Sequence, residues 1–330
     1  MPLHHQARVL LDTLAAMSPA DTGEVDVARA GPGLPDAEQA LLRERGADPT
    51  PEEVGEVTDR TVPGPTGEVA VRIYRPRSGD GTAGPLPVLV YVHGGGWVTG
   101  DLDGVDAAAR QLANGVHGVV VSVDYRRAPE DPFPASHDDV LAATRWVAAH
   151  GDELDVDASR LVIGGESAGA TMAAATCLSL ARAGEPVPRA QLLVYPLTDL
   201  LGDDWGSYTD AADTPPLTRE KLRWFVAHET RDDEQRADPR LSLLRADHDE
   251  LAAMPPALIF TAEEDPLRDQ GEAFARALMD ARVHVTLSRF PGMMHGFFGS
   301  AAVLDGARLA MLQAVAFVSA GFGGQEASAQ

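Results

Sequence analysis

The chain switches between two hydrophobic periods. Eight short runs of aliphatic, mostly β-branched residues read as strands, at 57–62, 69–75, 88–92, 119–123, 161–163, 192–195, 257–261 and 284–289. The first two flank Gly64-Pro65-Thr66-Gly67, a turn cluster, and predict a hairpin. Most of the others are unbroken apolar runs, the pattern of strands covered on both faces. Segments of helical periodicity separate them, at about 103–116, 136–150, 168–183, 269–281 and 302–320. An antiparallel opening followed by repeated strand–helix units predicts one large α/β domain.

Two stretches fall outside this rhythm. Leu3, Ala7, Leu10, Leu11 and Leu14 share one face of a helix expected over 3–17, and a second helix is expected over 36–45, where Asp36 after Pro35 favours its start. The opening lacks a basic start, an unbroken apolar stretch and a small-residue cleavage site, so it reads as a helix of the mature chain rather than a signal peptide. The other stretch, 202–250, is rich in Asp, Arg and Trp, carries Pro215-Pro216 and predicts a helix over 218–229. Insertions of this length between core strands are usually functional. The two stretches are expected to pair as a helical cap over one end of the sheet. The chain then divides into cap helices (1–55), core (56–201), cap insertion (202–250) and core again (251–330).

Composition narrows the class. With 44% apolar and 23% charged residues the chain is ordinary for a folded protein, and no apolar run is long enough to span a membrane. A net charge of −23 argues against nucleic-acid and anionic-membrane partners, which need clustered Lys and Arg. Of the 27 basic residues only Lys221 is a lysine. The acidity fits either an ordinary solvated surface or adaptation to salt. The single cysteine, Cys177, excludes an intrachain disulfide and reads as a small buried apolar residue. A cytoplasmic location fits, although disulfide-free proteins are also secreted. The sequence offers no argument for or against a homodimer.

The chemistry concentrates at three places. Residues 161–170 run strand, tight turn, small-residue helix around Gly165-Glu166-Ser167-Ala168-Gly169. A serine on such a sharp turn needs neighbours without bulk two residues away, and stands exposed above the sheet as a candidate nucleophile. The strand at 88–92 ends in His93-Gly94-Gly95-Gly96-Trp97. No Lys-Ser/Thr follows and the dinucleotide spacing is absent, so a phosphate cradle is the weaker reading. Glycines there let backbone N–H groups converge on a carbonyl oxygen, as in the HGGG loops of lipases and esterases. Gly95 and Gly96, with Ala168, are the expected oxyanion donors, Gly94 shapes the turn, and His93 braces the loop. His295 follows the last strand and is the expected general base among ten histidines. The carboxylate that orients it should follow the penultimate strand, where Asp265 is favoured by Pro266 just beyond it and Glu263, Glu264 and Asp269 remain alternatives. Trp97, Met293, Met294, Phe297 and Phe298 flank these motifs, and Trp205, Tyr208, Trp224 and Phe225 sit in the insertion. Each reads equally as substrate-binding wall or as ordinary core.

Together these pieces resemble the hormone-sensitive-lipase-like esterases, bacterial family IV of the α/β-hydrolase superfamily. The likeness runs from about residue 57 to the C-terminal helix and includes Asp124-Tyr125-Arg126-Arg127-Ala128-Pro129-Glu130-Asp131-Pro132-Phe133-Pro134-Ala135, Asp265-Pro266-Leu267-Arg268-Asp269 and His295-Gly296-Phe297. It implies an α/β-hydrolase fold with eight strands in a mostly parallel sheet, helices on both faces and a helical cap. It also implies no metal or organic cofactor, and short- to medium-chain esters as small-molecule substrates. Three positions depart from the commonest pattern: Glu166, where Asp or Thr is frequent, Arg127 for a usual Leu, and Glu264 for a usual aromatic. The same machinery could cleave amides, carbamates or acetylated small molecules. The family also resembles plant gibberellin receptors, binding modules without the catalytic histidine, and His295 argues against that role here.

Overall fold

Hydrophobic alternation within each strand sorts side chains onto two faces of one sheet. The computed structural model describes residues 2–17, 33–77 and 84–323. Its strands are β1 (Glu56–Pro63), β2 (Glu68–Arg75), β3 (Leu86–Val92), β4 (Val119–Asp124), β5 (Val156–Glu166), β6 (Gln191–Val194), β7 (Ala257–Glu264) and β8 (Val285–Met294). They form an eight-stranded sheet in the order β1-β2-β4-β3-β5-β6-β7-β8. β1 pairs antiparallel with β2, and β2 with β4. Every other pairing is parallel, so β3 to β8 present their C-terminal ends together. That end is where α/β sheets gather their functional loops.

The longer helices are α1 (His5–Met17), α2 (Leu34–Glu44), α3 (Asp106–Val116), α4 (Ala135–Ala149), α5 (Ala168–Ala183), α6 (Arg219–Glu229), α7 (Arg268–Asp280) and α8 (Asp305–Phe322). Val88, Val90 and Val92 of β3 point into a core shared with α4, α5, α6 and α7. Leu89 and Tyr91 point the other way, into a core shared with α1, α2, α3 and α8. Both sheet faces are thus covered, which is what unbroken apolar strands require. Among the described residues no helix is long and apolar enough to cross a membrane.

The N-terminal helix buries the predicted face: Ala7, Leu10 and Leu11 are buried, and Leu3 and Leu14 pack partly against the same core. α2 starts at Leu34 rather than at Asp36, because the Asp36 carboxylate reaches back to accept the Gly33 N–H at 2.7 Å. Asp36 is therefore the third helical residue, closing the first turn rather than opening it. Residues 18–32 of the expected N-terminal cap lie outside the described residues. The insertion holds α6 as expected, plus short helices at Ser207–Asp210, Asp233–Arg236 and His248–Ala252.

Candidate active site

Ser167 sits between the last residue of β5 and the first of α5, with φ 55° and ψ −122°. A non-glycine residue there carries about 1–3 kcal/mol of strain and persists only when its surroundings hold it. Its N–H donates to Val194 O at 2.9 Å, and its carbonyl accepts the Thr171 N–H at 3.1 Å. The flanking glycines are sterically required. A methyl group on Gly165 would lie 2.6 Å from main-chain atoms of Gly169 and Val92, and one on Gly169 would overlap the main chain of Val92 and His93. The elbow is thus wedged between β5, α5 and the end of β3.

His295 follows β8 and lies across the strand ends from Ser167. Its Nε2 is 3.0 Å from Ser167 Oγ and its Nδ1 is 2.7 Å from Asp265 Oδ2. The other Asp265 oxygen accepts the Leu267 N–H at 2.8 Å, which fixes the carboxylate in a fully buried position. An imidazole protonated at Nδ1 can donate to Asp265 and take a proton from Ser167 at Nε2. The alternative carboxylates are engaged elsewhere. Glu263 accepts the Gly292 N–H at 2.8 Å, Glu264 continues the ladder opposite Met294, and Asp269 accepts the Ser207 N–H at 2.7 Å.

The glycine loop closes the third side. A methyl on Gly94 would sit 3.4 Å from Ser167 Cβ, so the loop lies directly against the elbow. Its carbonyls are turned away: Gly94 O is bonded by the His93 ring at 2.7 Å, and Gly95 O accepts the N–H groups of Val98 and Thr99 at 3.1 and 2.9 Å. Among the described residues, the N–H groups of Gly95, Gly96 and Ala168 make no main-chain hydrogen bond beyond their own elements. They are the same three groups that the sequence singled out, and no main-chain carbonyl of another described element takes them. His93 braces this loop: it stacks on Tyr125 at 4.3 Å, and burial lowers its pKa to about 4, keeping it neutral. Arg127 adds a second brace, donating to Gly100 O and Asp124 Oδ1 at 2.8 Å each.

A family model described as alpha/beta hydrolase fold matches residues 89–299. Carboxylesterase NlhH of Mycobacterium tuberculosis is 40% identical over 306 residues, covering 91% of this chain and 90% of that protein. The chain belongs to the hormone-sensitive-lipase-like esterases of the α/β-hydrolase family. Carboxylic ester hydrolase LipN of the same organism is 42% identical over 258 residues, which cover 76% of this chain and 66% of that relative. A Pyrobaculum calidifontis esterase superposes with a TM-score of 0.85 and 35% identity, over 97% of this chain and 99% of that one.

In this esterase the side chains singled out as substrate contacts fall into two groups. Trp97, Met294 and Phe297 have no exposed surface. Trp97 turns into the core beside His137 at 6.4 Å between rings, while Phe297 lies 5.9 Å from Tyr195 and 5.0 Å from Phe290. These three form packing beneath the site rather than an open wall. Trp224 is half-buried and meets Phe225 edge-on at 5.3 Å. Phe225 is the one of this pair that reaches the loop: a methyl on Gly96 would lie 2.6 Å from its ring carbon Cδ2. On the opposite side, a methyl on Gly296 would lie 2.8 Å from Leu34 Cδ1 and 3.9 Å from Pro216 Cγ. Residues of α2 and of the insertion thus meet beside His295. Leu34 carries no motif that sequence could have flagged.

Proposed function

We propose that the chain is a serine carboxylesterase hydrolysing short- to medium-chain acyl esters. Ser167 attacks the ester carbonyl while His295 takes its proton, and Asp265 holds the imidazole in the right tautomer and stabilises its cation. The oxyanion is met by the N–H groups of Gly95, Gly96 and Ala168, in a loop that Gly94 shapes. His295 then protonates the departing alcohol, and water repeats the two steps on the acyl-enzyme. The observation that carries this reading is the unbroken Ser167–His295–Asp265 relay at 3.0 and 2.7 Å.

The preference for shorter acyl groups is supported by how little room surrounds the site. Ser167 and His295 are each only 9% exposed, with Phe225, Leu34 and Pro216 crowding the loop and the base. We assign those crowding residues to a cap built from 1–55 and 202–250 on a core of 56–201 and 251–330. Rates with p-nitrophenyl acetate, butyrate, octanoate and palmitate test the reading. Butyrate or octanoate should lead and Ser167→Ala should show no turnover. Palmitate as best substrate would reject the chain-length preference, and turnover surviving in Ser167→Ala would reject the mechanism.

A further inference from the structure

The residue before the nucleophile carries a carboxylate that the steps above do not use. Glu166 ends β5 and is buried. A carboxylate in such a place is costly unless its oxygens are bonded. Both are: Tyr91 donates its hydroxyl to Oε1 at 2.7 Å, and Tyr195 donates to Oε2. Two phenol donors, one to each oxygen, suit an ionised carboxylate, since an acid would have to donate from one of them. The second tyrosine leads to the base. Its ring lies 4.6 Å from the His295 ring at a tilt of 53°, and its N–H is fixed by Phe260 O at 2.8 Å. Burial pushes the Glu166 carboxyl above its ordinary range, while Tyr195, Tyr91 and the positive form of His295 oppose that rise. No arginine or lysine among the described residues takes part in holding this charge.

We propose that Glu166, clamped by Tyr91 and Tyr195, is a positioning residue whose negative charge stabilises the His295 imidazolium, so that the base is served by two carboxylates. Asp265 acts through a direct hydrogen bond, whereas Glu166 acts through its field and through the Tyr195 ring it anchors. In a water-poor interior a charge without a direct bond still counts, because the effective dielectric is far below that of water. The imidazolium forms at each tetrahedral stage, so a group that favours it lowers both acylation and deacylation barriers. The inference rests on the Ser167–His295–Asp265 assignment. It also gives this chain's departure at position 166 a role behind the base rather than in the substrate pocket.

The test is the pH profile of kcat and kcat/KM for p-nitrophenyl butyrate, normalised by fluorophosphonate titration of active sites. Glu166→Gln should move the acid limb down by about one pH unit and lower kcat about tenfold, with KM little changed. Glu166→Asp, which keeps the charge, should recover most of the limb position. Tyr195→Phe keeps the ring but removes one donor, and should shift the limb the same way by less. A Glu166→Gln limb that stays in place or moves up overturns the proposal, however slow or unstable that variant is. If the Gln variant does not fold, an unmoved limb in Tyr195→Phe overturns it equally. Failure of the underlying assignment shows separately, as turnover that persists in Ser167→Ala.

Discussion

The oxyanion role proposed for the Gly96 N–H depends on hydrogen alone occupying the place of its side chain. A methyl there would press on the Phe225 ring, and the residue also has φ 59°, where L side chains are strained. Gly96→Ala should therefore cut kcat/KM for p-nitrophenyl butyrate by at least about tenfold, in line with a displaced oxyanion donor. Adding Phe225→Ala should recover most of that loss if the ring is what displaces the amide. A double variant as slow as the single one would assign the loss to backbone strain instead. The glycines of this contact were legible in the sequence, because close backbone approach demands glycine whatever surrounds it. Phe225 was not, since its meeting with Gly96 joins distant segments and leaves no local pattern, and its neighbour Trp224 looked equally suitable. The carboxylate beside His295 shows the same limit: sequence offered four, and only their separate partners, such as Gly292 for Glu263 and Ser207 for Asp269, leave Asp265 to the His295 ring.

All eight strands were legible in the sequence, but several of their ends were not, among them those of β5, β7 and β8. β5 runs from Val156 to Glu166 rather than over 161–163, because Val156 pairs with Leu86 across a register break that takes in 157–160, and Gly164, Gly165 and Glu166 pair with β6. β8 continues to Met294 through Pro291-Gly292, which reads as a turn; the ladder shifts register there and resumes with Glu264 opposite Met294. The short helices of the insertion show no periodicity over four or five residues, so their sequence signal is confined to caps such as Asp232 and the Asp247–Glu250 pair. That at Ser207–Asp210 is tied by a tertiary bond, Ser207 Oγ donating to Pro266 O at 2.7 Å. Helix α2 carries its own prediction. Leu34 of α2 is buried against Gly296, next to His295. Leu34→Ala should raise the ratio of octanoate to butyrate turnover by at least about twofold by opening that side. It should also cost about 2–3 kcal/mol in stability, read from urea unfolding, as a buried leucine does. An unchanged ratio would mean that α2 does not bound the substrate site.

Across the whole molecule, two buried carboxyls make stability depend on pH in an unusual direction. Burial raises Glu38 to about 7 and Glu229 to about 8 from an ordinary 4.5. Glu38 ties α2 to the segment before α8 through the Ala302 N–H at 3.1 Å, and Glu229 ties α6 to α4 through Ser136 at 3.2 Å. His137 beside Glu229 offers no cation, because burial holds its own pKa at about 3. Above about 4.5 the unfolded chain has released these protons, while the folded chain keeps that of Glu38 up to about pH 7 and that of Glu229 up to about pH 8. The folded state binds more protons in that window, so its stability falls as pH rises and levels off above about 8. Each tenfold change in proton affinity between the two states is worth about 1.4 kcal/mol, so each carboxyl contributes at most a few kcal/mol across the window. The thermal midpoint should accordingly be higher at pH 5.5 than at pH 8.5, and Glu38→Gln/Glu229→Gln should flatten the difference. The net charge of −23 pushes the same way, since repulsion among surface carboxylates also grows with pH. Salt separates the two causes. Repulsion is screened within a few ångströms at about 1 M NaCl, whereas the penalty for ionising a buried carboxyl is screened far less. A pH slope that survives high salt in the parent chain and disappears in the double Gln variant assigns it to Glu38 and Glu229. A slope that salt alone abolishes assigns it to the acidic surface.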